Sequence, residues 1–286
     1  MRKIITILFF CVFVFSSQVD AAKFPKNKSF SFVFMTDIHL QPEKNATEGF
    51  LKAIEKVNEL KPDFVITGGD LIMDALGQAY SRSDSLYKLY EEMSAHFKMP
   101  VYNTIGNHDI FGLYEKSGVD STHQEYGKKM FENRLAERFS SFEHKGWHFI
   151  SLDGIGYTND RQYYGYIDSL QVRWLEKELA AIGKEKPVVI STHIPLLSIR
   201  GSSLITNAPK IRKILEDYNV KSVLQGHLHI LEDIFYNNIH YITGGAVCAN
   251  WWKGAKSGME EGFIHVTVNK GDFKWEYIDY GWEVVE

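Results

Sequence analysis

Cysteine is scarce in this chain: there are two in 286 residues, Cys11 and Cys248. Cys11 falls in an apolar N-terminal stretch that reads as removable. That leaves one thiol and excludes an intrachain disulfide from any account of stability. Excess basic charge is missing as well. The formal net charge is −4, and no basic, aromatic-studded stretch is present to track a strand, so no nucleic-acid partner is expected. Internal repeats, low-complexity tracts and linkers are absent, so nothing marks a domain boundary. The apolar run from Ile4 to Phe15 is too short to span a bilayer comfortably.

Arg2 and Lys3 precede that run, Ser16, Ser17 and Gln18 follow it, and Val19 and Ala21 are small residues suited to cleavage after Ala21. This layout predicts a signal peptide over residues 1–21 and one mature domain over 22–286, with no membrane span after cleavage. An uncleaved anchor or a buried N-terminal helix is the alternative. Cys11 lies inside the run rather than after small residues, so lipidation is not expected. Export without disulfides suggests a secreted protein of the bacterial periplasm or cell envelope. The composition, 44% hydrophobic and 24% charged, is ordinary for a globular chain able to bury its own core.

Strands and helices alternate along the body. Phe30 to Met35 reads as a buried strand, Thr47 to Leu60 as a helix stopped at Lys61-Pro62, and Phe64 to Thr67 as a second strand. A helix is expected over Ser83 to Phe97 and a strand over Val101 to Ile105. Further on, Trp147 to Leu152 is a strand, and Asp168 caps a helix carrying Val172, Leu175 and Leu179. Val188 to Ser191 and Val220 to Leu224 are strands on either side of a short helix over Ile211 to Tyr218. The chain ends in strands, with a turn at Asn269 to Asp272 between Phe263–Val268 and Phe273–Ile278. The fold class is therefore α/β with an all-β finish.

Five of the strands hand over to a polar cluster: Asp37-x-His39, Gly69-Asp70, Gly106-Asn107-His108-Asp109, His193, and Gly226-His227-x-His229. Ligands in α/β folds collect at the carboxyl ends of strands. Taken singly, each cluster has an ordinary reading as a turn or a hydrogen-bonded histidine. Together they hold five of the eleven histidines, beside carboxylates and one amide. That donor set suits borderline first-row divalent metals better than Ca²⁺ or a thiolate zinc site. Glycines at 69, 106 and 226 are expected to allow sharp turns that aim the next side chain inward.

The ordered set resembles the five motifs of the calcineurin-like metallophosphoesterases: D-x-H, G-D, G-N-H-[DE], H and G-H-x-H. The match runs from Asp37 to His229. The resemblance implies a four-layer α/β/β/α sandwich of two mixed sheets with metals at the strand ends. It implies that Asp37, His39 and His229 hold one divalent ion, that Asn107, His193 and His227 hold a second, and that Asp70 bridges them. Mn²⁺, Fe or Zn²⁺ would fit. Two cations about 3.5–4 Å apart clamp an in-line displacement, with a bridging hydroxide as nucleophile. His108 is implied to face the phosphate, with Asp109 orienting its ring.

Departures narrow the resemblance. The third motif ends in Asp109, where the protein serine/threonine phosphatases carry glutamate. His39 is present and Met73 stands where the purple acid phosphatases place tyrosine. The better resemblance is to bacterial small-molecule phosphodiesterases and phosphatases, including cyclic-nucleotide phosphodiesterases. Trp251 and Trp252, bracketed by glycines at 244, 245 and 254, read equally as a substrate wall or as core packing. The expectation is a hydrolase of a small phosphate mono- or diester. The alternatives are a nucleotide, sugar or lipid pyrophosphatase, or an inactive phosphate-binding protein on the same fold.

Overall fold

A computed structural model describes residues 29–284 except Ser202. The expected signal peptide and Cys11 lie outside the described residues. Two large mixed sheets carry the fold. In the first, β1 (Phe30–Met35), β2 (Phe64–Thr67) and β3 (Val101–Tyr102) run parallel. The second contains the antiparallel pair β4 (Ser140–His144) and β5 (Trp147–Leu152). A small hairpin, β6 (Ile155–Tyr157) and β7 (Tyr163–Gly165), stands apart from both. The second sheet continues through β8 (Val188–Thr192), β9 (Val220–Gln225), β10 (Leu231–Tyr236) and β11 (Ile239–Gly244), in the order β10-β11-β9-β8-β5-β4. The final hairpin, β12 (Gly262–Asn269) and β13 (Asp272–Asp279), returns to pair antiparallel beside β1. The all-β finish is thus an edge of the first sheet.

Side-chain alternation explains the layering. On β1, Phe30, Phe32 and Phe34 enter a core shared with Trp147, Phe149, Val189 and Leu224 of the second sheet. Val33 and Met35 point the other way, into a core shared with α1 (Ala46–Leu60) and α2 (Tyr80–Ser94). The second sheet divides likewise. Val189 faces inward, while Val188 and Ile190 join a core with Leu175 and Leu179 of the helix Ser169–Ile182 and Leu215 of the helix Ala208–Leu215. Strands buried on both faces read as near-continuous apolar runs, the sequence signal that located them. Asp168 caps its helix by accepting from the Gln171 N–H at 2.9 Å.

The differences from expectation have local causes. The strand expected over Val101 to Ile105 pairs only through Tyr102. Beyond it the chain leans towards the second sheet, where the Thr104 hydroxyl lies 3.0 Å from that of Ser191 and accepts from Ser151 at 2.9 Å. The helix expected at Ile211 to Tyr218 begins at Ala208, with proline in its first turn, where a missing N–H leaves nothing unpaired. β4 and β10 are not legible because they are edge strands paired on one side only: β4 is largely polar, and in β10 Glu232 and Asp233 interrupt the apolar residues.

Phe32 is fully buried where the sheets meet, its ring stacked 5.2 Å from Phe64 and edge-on to Phe149 at 5.4 Å. Phe32→Ala should therefore lower unfolding stability by about 3–5 kcal/mol in a denaturant titration. A loss below about 1 kcal/mol would show that this layer is not the core that joins the sheets.

Candidate metal centre

The clusters converge because the parallel strands of both sheets end on the same side. Asp37 and His39 follow β1, Asp70 follows β2, and Asn107 lies beyond β3. His193 follows β8, and His227 and His229 follow β9. Five of these residues have left-handed backbone: Asp37 (φ 54°), His39 (48°), Asp70 (53°), His227 (71°) and His229 (52°). Such conformations persist in non-glycine residues only where the surroundings enforce them. Here the Asp37 N–H donates to Gly69 O at 3.0 Å, His39 N–H to Asp70 O at 2.9 Å, and Gly226 N–H to His193 O at 2.9 Å. Of the three glycines expected to turn, Gly69 alone is left-handed, at φ 89°. Gly106 is close to extended at φ −108°. Its contribution is close approach, since a Cβ there would stand 2.0 Å from Asp70 N.

The donor atoms form two groups that meet at Asp70. In one, His229 Nε2 lies 3.3 Å from Asp37 Oδ1 and 3.1 Å from His39 Nε2. In the other, His193 Nε2 lies 3.1 Å from Asn107 Oδ1, and one ligand atom of His227 falls within 4.8 Å of those of His193 and Asp70. Asp70 Oδ2 stands between them, 3.1 Å from His193 Nε2 and 3.6 Å from His39 Nε2. The Nδ1 atoms of His193 and His229 bond the carbonyls of Gly68 (2.8 Å) and Ala249 (2.7 Å). A carbonyl cannot donate, so Nδ1 carries the proton and Nε2 faces the cluster, the arrangement metal-ligating histidines adopt. His39 Nδ1 and Asn107 Nδ2 are buried without a hydrogen-bond partner among the described residues. Convergent imidazole nitrogens and carboxylate and amide oxygens fit a divalent cation well.

The electrostatics follow from burying anions. Burial would raise the Asp37 carboxyl, but the charge and hydrogen bond of His229 bring it down to about 2. Burial opposes Asp70 likewise, yet the nearby His193 and His108 hold it well below the usual carboxylate range. The same pairs act on the imidazoles. Burial disfavours protonation, but Asp70 lifts His193 to about 9 and Asp37 lifts His229 to about 11. His227 gains less: burial and the charge on His193 take it down to about 4. Burial likewise keeps His39 well below its ordinary value. Cys248, with Sγ 4.0 Å from His229 Nδ1, is pushed up by burial.

Two expectations need correction. Asp109 does not orient His108. Its Oδ1 accepts from the Leu71 N–H at 2.9 Å and, more weakly, from Ile72, while Oδ2 accepts from Gly106 at 2.7 Å. It ties together the loops that carry Asp70 and Asn107. The ring of His108 is instead held by its Nδ1–H, which donates to Met73 O at 2.8 Å, with Asp74 Oδ1 3.6 Å away. No sequence signal reveals the carbonyl, although Asp74 lies in view four residues past Asp70. The second correction splits the tryptophan pair. Trp252 is buried core, its Nε1–H shared between the carbonyls of Ile38 and His39 and its ring edge-on to Trp282. Trp251 is half-buried, 4.1 Å from the His39 ring and 5.4 Å from that of His108, and lines the same cavity as His108.

Comparison with known proteins agrees with this geometry. A family model described as calcineurin-like phosphoesterase matches residues 30–231. A 3′,5′-cyclic-nucleotide phosphodiesterase of Nostoc sp. is 26% identical over 76% of this chain and 78% of its own length. The 3′,5′-cyclic adenosine monophosphate phosphodiesterase CpdA of Escherichia coli K12 is 23% identical over 76% of each chain. Among solved structures, a dimetal phosphatase from Danio rerio aligns with a TM-score of 0.63 at 14% identity, covering 88% of this chain and 99% of that one, a likeness of fold.

Removing the Asp109 carboxylate would leave the buried N–H groups of Leu71 and Gly106 unpaired, each worth about 1–3 kcal/mol. Asp109→Ala should therefore lower unfolding stability by at least about 2 kcal/mol, whereas His108→Ala, at the cavity wall, should change it by less than about 1 kcal/mol. Equal stability losses in the two variants would remove the distinction drawn between them.

Proposed function

This chain belongs to the calcineurin-like phosphoesterase family and is a phosphoric ester hydrolase, and from that premise we propose that it hydrolyses a small phosphate mono- or diester on two divalent cations. Asp37, His39 and His229 would hold one ion, Asn107, His193 and His227 the other, and Asp70 would be shared. The observation that carries this reading is Asp70 Oδ2, placed 3.1 Å from His193 Nε2 and 3.6 Å from His39 Nε2, between the two donor groups. Manganese, iron or zinc suits the donor set. Bound there, the ions supply Lewis acidity towards phosphate oxygens and lower the pKa of the attacking water.

The chain's own residues do the rest. With its Nδ1–H committed to Met73 O, His108 presents Nε2 to the cavity. When the ring also carries a proton on Nε2, it can donate to a phosphate oxygen or pass that proton to the departing one. The water oxygen joins phosphorus, the bond to the leaving oxygen breaks, and the proton from water ends on the leaving group. Trp251 forms a wall of that cavity. The relatives named above are cyclic-nucleotide phosphodiesterases, which favours a small phosphodiester as substrate. The N-terminal residue pattern supports an exported, envelope-located chain whose mature part, 22–286, is one domain. No helix among the described residues is long and apolar enough to cross a membrane.

Assay against a panel of mono-, di- and pyrophosphate esters tests the reading. Activity should vanish on chelation and return with Mn²⁺. His108→Ala should lower kcat by about 10²–10⁴-fold while metal content stays intact. Activity that survives chelation, or metal loss in His108→Ala, would contradict it.

A further inference from the structure

The cavity walled by His108 and Trp251 has a volume of about 540 Å³ and is flanked by three lysines from three separate segments, Lys44, Lys253 and Lys116 of the short 3-10 helix Glu115–Ser117. None of the three forms an ion pair among the described residues. Lys116 is set in place by its stem, which passes over Gly77 so closely that a Cβ there would stand 2.0 Å from Cε. Its ammonium lies 5.7 Å from the Tyr114 ring centroid, over another wall of the cavity. The carboxylate lining this cavity, Asp74, is engaged by the Leu76 N–H at 3.0 Å and the Gln78 amide at 3.4 Å. With three ammonium groups against the single carboxylate of its lining, the mouth carries net positive charge in a chain whose net charge is −4.

The contrast with the other large cavity is instructive. That one has a volume of about 580 Å³; its Lys128 and Arg138 are both paired with the buried Asp153, and its third cation, Lys129, shares the lining with the carboxylates of Glu132 and Asp168. At the mouth of the metal centre three lysines face one carboxylate, and none of them is paired with it. Unpaired ammonium groups beside a low-dielectric wall attract and hold anions. A cyclic diester brings one negative charge, on the phosphate being cleaved, and that charge belongs at the metal donors. The space also extends beyond Lys116, since Tyr114 and Lys116 line a neighbouring cavity of about 510 Å³ with Gln162 and the carboxylates of Glu115 and Asp160, so the excess of positive charge is confined to the cavity beside His108.

We propose that the preferred substrate carries a second phosphate group, distinct from the one hydrolysed, which Lys44, Lys116 and Lys253 hold at the mouth while a flat ring rests on Trp251. This rests on the hydrolase reading above. The second phosphate keeps all its bonds and serves only to bind and orient.

A matched pair of substrates isolates that group: the p-nitrophenyl ester of thymidine 5′-phosphate, with and without a 3′-phosphate. The 3′-phosphorylated ester should show a KM lower by about tenfold or more, at similar kcat. The advantage should shrink at high salt. It should fall to within about twofold in the Lys44→Ala, Lys116→Ala, Lys253→Ala triple variant and return in part with arginine at the three positions. The plain ester should be turned over alike by wild type and variant, which shows the variant to be folded. Equal KM values for the pair, or an advantage that survives the triple variant, would overturn the proposal while leaving the hydrolase reading standing. If neither ester is turned over with Mn²⁺, the panel of esters above decides the hydrolase reading, and binding decides this proposal. Tryptophan fluorescence titration should then show thymidine 3′,5′-bisphosphate binding about tenfold tighter than the 5′-monophosphate, and equal affinities would overturn it.

Discussion

Two carboxylates, Asp37 and Asp70, are buried at the junction of the two sheets, and their charge is the constraint around which the structure is organised. A buried anion is tolerated only with close compensation. Neither sheet supplies it alone. The first sheet brings both carboxylates with His39 and Asn107, and the second brings His193, His227 and His229. The bonds that join the sheets at this end run through the same groups: Asp37 Oδ2 accepts from the His227 N–H at 3.0 Å, and His193 Nδ1–H donates to Gly68 O at 2.8 Å. Stability and donor geometry are therefore coupled. A cation placed among these atoms would take over the compensation that His193 and His229 otherwise provide as imidazolium ions.

That constraint also accounts for the unusual backbone. Five residues in the left-handed region within one site would be a large accumulated strain in an isolated loop. Each is fixed by hydrogen bonds to a neighbouring loop, so the strain is carried by the sheet pairings beneath. Asp109 has the same kind of task, joining the Asp70 and Asn107 loops through backbone donors. A rigid scaffold of this sort holds donor atoms in place before any ligand arrives, which is the condition for electrostatic preorganisation.

The parts of this arrangement legible in the sequence are those with a repeating local signature. Apolar runs such as Phe30–Met35 and Val220–Gln225 betray strands buried on both faces, and the polar residues that end them mark one side of the molecule. Edge strands such as Leu231–Tyr236 lack that signature, because half their surface faces solvent. The donor residues were readable as a set because seven such residues at five strand ends are improbable by chance. Their supports were not. Gly68 O, Ala249 O and Met73 O are backbone atoms, which any residue type provides. Asp109 adjoins the His108 ring in sequence, whereas its carboxylate turns back towards Leu71 and Gly106. Trp251 and Trp252 are adjacent and chemically identical, and only the three-dimensional path sends one to the core and the other to the cavity.

Locating metal by anomalous scattering in crystals of the manganese-loaded protein tests the central claim most directly. The account predicts two peaks on either side of the Asp70 carboxylate, about 3.5–4 Å apart. One should lie within bonding reach of Asp37, His39 and His229, the other of Asn107, His193 and His227. The absence of any peak within reach of Asp70, or metal bound only elsewhere on the molecule, would contradict it.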